Sequence, residues 1–211
     1  MSIPSHEKPV IAAFDFDGTI TKRDTLLSFL IYSAGKWPTI KKIALLSPKL
    51  IGFLLKIVSR QNAKEAILKR FFKGMPYHQL QELGEAFARS TALSSLMHPA
   101  ALKRLEWHRS QKHRCILISA SIDAYLKPWS ERLGFSDLIC SKMEVDENGN
   151  MTGLLDGPNC WGQEKERRLL ELTGPRENFI LYAYGDSRGD RELLSMADYS
   201  FYRKMPSPVR L

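Results

Sequence analysis

The ten residues from Val10 to Thr19, Val-Ile-Ala-Ala-Phe-Asp-Phe-Asp-Gly-Thr, constrain this chain more than any other stretch. An apolar run broken by two carboxylates and a glycine predicts a strand buried on both faces that empties into a polar loop. Ligands of such parallel sheets collect at the carboxyl ends of the strands. Asp15 and Asp17 are two residues apart, so on extended chain they point the same way, and like charges held together call for a cation or phosphate chemistry. Magnesium favours such oxygen donors. Taken alone, an Asp-x-Asp-Gly tetrapeptide is equally an ordinary turn.

Three later segments supply what a phosphoryl-transfer site would need. Arg114-Cys115-Ile116-Leu117-Ile118-Ser119 is a second buried-strand pattern ending in a hydroxyl, followed by Ala120, Ser121 and a helix start at Asp123. Residues 179–184 form a third, running into Gly185-Asp186-Ser187-Arg188-Gly189-Asp190. Between them Trp161-Gly162-Gln163-Glu164-Lys165 opens a helix that can carry Lys165 to the strand ends as a phosphate partner.

Asp15, Asp17 and Thr19, the hydroxyl of Ser119, Lys165, and Gly185-Asp186-Ser187 with Asp190 together resemble the motif set of the haloacid dehalogenase superfamily of phosphatases, in its phosphoserine phosphatase-like group, subfamily IB. Segment 161–165 and the insert after the first motif carry a narrower resemblance to bacterial phosphatidylglycerophosphatase C. The resemblance implies an α/β fold, a Rossmann-like three-layer parallel sheet with an inserted helical cap of the C1 type. It also implies Mg2+-dependent hydrolysis of a phosphomonoester through an aspartyl-phosphate. By the same resemblance Asp15 is the nucleophile, Asp17 the general acid and base, and Asp15, Asp186 and the backbone carbonyl of Asp17 the metal ligands. Ser119, Lys165 and backbone N–H groups at Gly18, Thr19 and Ala120 would hold the phosphoryl group, and Asp190 would orient Lys165 or the metal's water. Asp24 lies where the phosphoserine phosphatases carry a substrate-contacting glutamate, and its shorter side chain argues against an amino-acid substrate. A lipid phosphate such as phosphatidylglycerophosphate is the implied substrate. A soluble small-metabolite phosphatase and a non-catalytic lipid-binding protein stand as alternatives. A receiver domain is disfavoured by Asp17, an acid two residues beyond the aspartate to be phosphorylated.

The strands place a core over residues 1–23 and 98–211 and a cap over 24–97. Within the cap and its exit, helical patterns cover residues 25–34, 37–58, 63–72, 77–90 and 100–111. Further on, helices are expected over 123–133 and 164–172, the latter ending at Gly174-Pro175. Asn148-Gly149 signals a hairpin between 143–146 and 151–155, and a last strand is expected over 199–203.

Residues 36–73 carry ten basic side chains against one acid, Glu65, a local net of +9 in a chain whose formal total is +8. The same span holds Ile43-Ala44-Leu45-Leu46 and Leu50-Ile51-Gly52-Phe53-Leu54-Leu55, interrupted by Pro48, Lys49 and Lys56. It falls short of the ~20 apolar residues that cross a bilayer. An apolar face with cationic flanks suits the interface of an anionic membrane. No nucleic-acid partner is expected, because no recognition motif accompanies the basic residues. Cys115, Cys140 and Cys160 read as reduced structural thiols, and His6, His78, His98, His108 and His113 as surface residues. The N-terminal residues lack a signal-peptide layout, so a cytoplasmic location is expected, with a peripheral place on the inner face of the membrane. Oligomeric state is left open.

Overall fold

The protein is described by a computed structural model over residues 8–206; His6 and the N-terminal layout lie outside those residues. Seven strands are present among the described residues: β1 (Val10–Phe14), β2 (Arg114–Ile122), β3 (Asp137–Ser141), β4 (Met143–Val145), β5 (Met151–Leu155), β6 (Ile180–Gly185) and β7 (Tyr199–Tyr202). Five of them form one sheet in the order β3-β2-β1-β6-β7. Every neighbouring pair in it is parallel. The order reverses at β1, which has β2 on one side and β6 on the other, so the crevice at the carboxyl end of β1 is the topological switch point.

Alternation along the strands builds two cores. Ile11 and Ala13 pack with Ile116, Ile118 and Leu181 against Leu169 and Leu193, while Ala12 and Phe14 pack with Leu117 and Tyr184 against Leu105 and Trp129 on the other face. The helices supplying those layers are α7 (Pro99–Ser110), α8 (Asp123–Leu133), α9 (Gln163–Thr173) and α10 (Arg191–Ser195). This is the expected three-layer α/β fold.

The segment after β1 is helical: α1 (Leu26–Ala34), α2 (Lys36–Ala44), α3 (Ser47–Leu54), α4 (Arg60–Phe72), α5 (Tyr77–Arg89) and α6 (Thr91–Ser94). The single helix expected over residues 37–58 is two. Pro48 cannot continue α2, since it lacks an N–H and its ring would strike the carbonyl of Ala44, but it suits the first turn of α3, where no partner is needed. Strands β4 and β5 pair antiparallel, apart from the main sheet. They lean on the insert instead: Gly74 N–H donates to the Met151 carbonyl at 2.8 Å and Met151 N–H to that of Met75 at 2.8 Å. Strand β3 went unexpected because polar Asp137 and Ser141 bracket only three apolar residues. The histidine reading needs one correction: His108 is fully buried, its Nε2 2.8 Å from the Tyr184 hydroxyl, which also accepts from Arg104 Nε at 2.7 Å.

Candidate active site

The register brings the motif residues together. Phe14 faces Leu117 on one side and Tyr184 on the other, so the residues that follow them emerge side by side at the end of the sheet. Asp15 N–H still donates to the Tyr184 carbonyl at 2.9 Å before the chain leaves the sheet. The turn that follows needs Gly18, whose φ is +80° and whose α-carbon backs onto Asp186; a Cβ there would stand 2.2 Å from an Asp186 carboxylate oxygen.

Lys165, in the first turn of α9, reaches between two carboxylates. Its Nζ donates to Asp15 Oδ1 at 2.5 Å and to Asp190 Oδ1 at 2.6 Å, and all three side chains are buried. A cation at a helix N-terminus is unfavourable by the helix dipole, so the pair of carboxylates is what retains it there. Burial works against the Lys165 charge, but Asp15 and Asp190 outweigh it and hold the ammonium above its ordinary value. Burial pushes the Asp15 carboxyl up to about 8 against the opposing pull of Lys165. Burial would raise Asp190 too, yet Lys165 and the Ser187 donors keep it below the usual carboxylate range. The second Asp190 oxygen accepts from Asp186 N–H at 3.2 Å, Ser187 N–H at 3.0 Å and the Ser187 hydroxyl at 2.8 Å, which locks the loop after β6.

Carboxylate oxygens of Asp15, Asp186 and Asp190 lie within 4.8 Å of one another, and Asp186 Oδ1 is buried with no hydrogen-bond partner. A hard dication with oxygen ligands fits that donor set, and the unpartnered Asp186 oxygen is the atom it would satisfy. Asp190 is already engaged through both oxygens, so Asp15 and Asp186 are the free donors.

Asp17 turns away from this cluster. One oxygen accepts from Thr25 N–H and the Thr25 hydroxyl, both at 2.7 Å, and the other from the Ser121 hydroxyl. Thr25 is within 3.0 Å of the Tyr125 hydroxyl. Burial, with Asp24 nearby, pushes Asp17 up to about 6, a value suited to giving and taking protons near neutrality.

A cavity of about 300 Å³ is lined by Asp15, Asp17, Gly18, Asp24, Ser119, Ala120, Lys165 and Asp186, uniting all but two of the residues singled out in the sequence. Asp190 sits behind its wall, bonded to Lys165. Thr19 does not reach the cavity: it is buried beside a different one, with His98 and Arg203, and its hydroxyl has no partner. Ser119 Oγ accepts from Ser121 N–H at 3.0 Å, and Asp24 caps α1 by accepting from Leu26 N–H at 2.9 Å. Arg60 and Lys64 were not foreseen, and Trp161 was named only as the start of the segment that carries Lys165. Arg60 lines the cavity with its guanidinium 4.9 Å from the centre of the Trp161 ring. Lys64, lowered to about 8 by burial, donates to the Ala120 carbonyl and to Asn159 Oδ1 at 3.0 Å. The only sequence signal for Arg60 and Lys64 is their i,i+4 spacing on α4, lost among the other basic residues of the insert.

Residues 12–195 match the family model of the haloacid dehalogenase-like hydrolases. Protein CicA of Caulobacter vibrioides is 36% identical over 199 residues, covering 94% of this chain and 87% of that protein. Among solved structures, a protein of unknown function from Bordetella pertussis Tohama I superposes with a TM-score of 0.75 at 19% identity, covering 90% of this chain and 87% of that one. A phosphoserine phosphatase captured as an analogue of its phospho-aspartyl intermediate superposes at 0.59 with 18% identity, covering 90% and 84%.

Proposed function

Because this chain belongs to the haloacid dehalogenase-like hydrolase family, we propose that it hydrolyses phosphomonoesters through an aspartyl-phosphate on Asp15, with residues 24–97 acting as a cap. The observation that carries this reading is the buried Asp15–Lys165–Asp190 chain beside the unpartnered Asp186 oxygen. Asp15 and Asp186, with the Asp17 backbone carbonyl, would hold Mg2+, which when bound offsets the repulsion between a carboxylate nucleophile and a phosphate dianion. Asp15 attacks phosphorus while Asp17 delivers a proton to the leaving alkoxide; Asp17 then takes one from the water that opens the acyl phosphate. Lys165, Ser119 and the N–H groups at Gly18 and Ala120 hold the phosphoryl oxygens. Asp190 keeps Lys165 in place. Thr19, with its hydroxyl turned from the cavity, contributes through the turn and not through substrate.

For the substrate we favour a lipid phosphate such as phosphatidylglycerophosphate, supported by the basic, apolar composition of the cap. A soluble metabolite is the second reading, supported by likeness to the phosphoserine phosphatase. Phosphate release from p-nitrophenyl phosphate, phosphoserine and phosphatidylglycerophosphate in mixed micelles, with Mg2+ and after EDTA, tests both. We expect turnover that EDTA removes, Mg2+ restores and Asp15→Asn abolishes; full activity of the variant or of metal-free protein overturns the mechanism.

A further inference from the structure

We propose that helices α2 and α3 of the cap form a docking surface for an anionic lipid bilayer, placing the catalytic cavity next to it. This deepens the lipid-phosphate reading and rests on it for its purpose. Among the described residues, ten of the fifteen exposed large apolar side chains lie between Leu27 and Ile57. They follow helical spacing. Leu27 and Ile31 lie at i and i+4 along α1, Trp37 and Ile40 at i and i+3 along α2, and Ile51 and Leu54 at i and i+3 along α3, with Leu55 and Ile57 just past its end. Trp37 is 71% exposed, Leu54 76% and Ile57 78%. Single exposed apolar residues are ordinary, but this many on adjacent helices mark an interaction site.

Charge selects the partner. Lys36, Lys41, Lys49 and Lys56 are exposed on the same segment, and no acidic residue occurs between Lys36 and Lys64 to pair with them. A complementary protein face would have to be both apolar and strongly acidic, whereas an anionic bilayer presents phosphate charge over hydrocarbon by its nature.

The surface also connects to the chemistry. Leu50 and Phe53 of α3, with Leu26, Ala63 and Ile67, line an apolar chamber of about 180 Å³ whose polar end is Asp17, Lys64 and Asn159. Arg60 lines this chamber and the catalytic cavity alike. At that size it lies under the ~300 Å³ at which ordinary ligand pockets begin, so it takes the backbone next to a phosphate and not two acyl chains. On this proposal the hydrocarbon stays in the bilayer while the phosphate enters. Docking suits a chamber of this size better than extraction of the whole lipid.

The test is co-sedimentation of the whole protein with vesicles of phosphatidylcholine alone or mixed with phosphatidylglycerol, alongside p-nitrophenyl phosphate turnover. We expect binding only to the anionic vesicles, lost near 1 M salt, where the Debye length is ~3 Å. Each lysine near such a surface contributes about five-fold in affinity, so replacing Lys36, Lys41, Lys49 and Lys56 with Gln should weaken binding by up to about 600-fold. Trp37→Ser with Leu54→Ser should weaken it also, and p-nitrophenyl phosphate turnover should be unchanged in both variants. Absence of anionic-vesicle binding by the unaltered protein overturns the proposal whether or not the variants fold. So does a dimer in sedimentation equilibrium that dissociates in Trp37→Ser, which would assign the face to a second copy. Turnover without vesicle binding sinks the docking surface alone. Vesicle binding without turnover sinks the phosphatase reading alone.

Discussion

Replacing Lys165 with Met isolates the buried ion cluster. The ammonium lies 2.5 Å from Asp15 and 2.6 Å from Asp190, and all three groups are shielded from water. At an effective dielectric of ~20, each contact is worth roughly 6–7 kcal/mol of gross attraction, most of it offset by the cost of desolvating the charges. The variant keeps the two carboxylates without their counter-charge, and removing one partner of such a buried pair costs about 3–5 kcal/mol. Removing the ammonium takes away what opposes burial at both aspartates, so Asp15 shifts further up, Asp190 loses what holds it below the usual range, and both bind protons more readily than in the parent. A raised carboxyl stabilises the fold below its pKa and loses that contribution as pH rises, so the deficit should be larger at pH 8 than at pH 5. Mg2+ should stabilise the variant more than the parent, because a dication bound by Asp15 and Asp186 supplies charge the Met has removed. Urea unfolding at both pH values, with EDTA or Mg2+, measures all three effects. A deficit under about 1 kcal/mol at pH 8, or one that grows on acidification, would refute the assignment of Lys165 as counter-charge to the cluster.

Asp17→Asn should slow turnover of an alkyl phosphate by ~10²–10⁴-fold. It should slow the first chemical step of p-nitrophenyl phosphate far less, since that leaving group needs no proton; equal losses in single-turnover experiments would rule out Asp17 as the acid. Gly18→Ala forces a Cβ into the 2.2 Å gap to Asp186 at a φ of +80°. It should raise the Mg2+ concentration needed for half-maximal activity by at least about ten-fold, with ~1–2 kcal/mol lost in unfolding for the left-handed conformation. An unchanged Mg2+ requirement would show that Asp186 does not bind the metal. His108 is fully buried and held at about 3, by burial first and then by Arg104 and His113. A lowered histidine stabilises the fold above its unfolded value of ~6.5 and loses that contribution as pH falls toward the folded one, which predicts about 2 kcal/mol lost between pH 7.5 and 5. Urea titrations should show that loss in the parent and a clearly smaller one in His108→Gln.

Much of this protein is legible in one dimension because its chemistry sits where strands end. The apolar runs before Asp15, Ser119 and Asp186 must be buried and parallel, and that alone delivers all three side chains to one edge. Lys165 could be named only with the other motifs beside it, since by itself a first-turn lysine reads as an ordinary surface residue. Helix ends were set locally by Pro48, Gly134 and Gly174. Other features depend on partners far away in sequence. Asp17 is held by Thr25 and Ser121, and the second is 104 residues distant with no spacing rule to announce it. Thr19 follows the positive-φ turn at Gly18 and lines a different cavity from the other motif residues, which no residue count reveals. His108 carries nothing in its neighbourhood to mark it as buried; only the packing of α7 on Tyr184 does so. Lys64 and Arg60 look like two more charges on a basic helix until α4 folds over Ala120 near the end of β2 and the loop that holds Trp161. Local patterns decide where a strand or helix begins and which groups it delivers, whereas burial, pairing and proton affinity belong to neighbours that exist only once the chain has closed on itself.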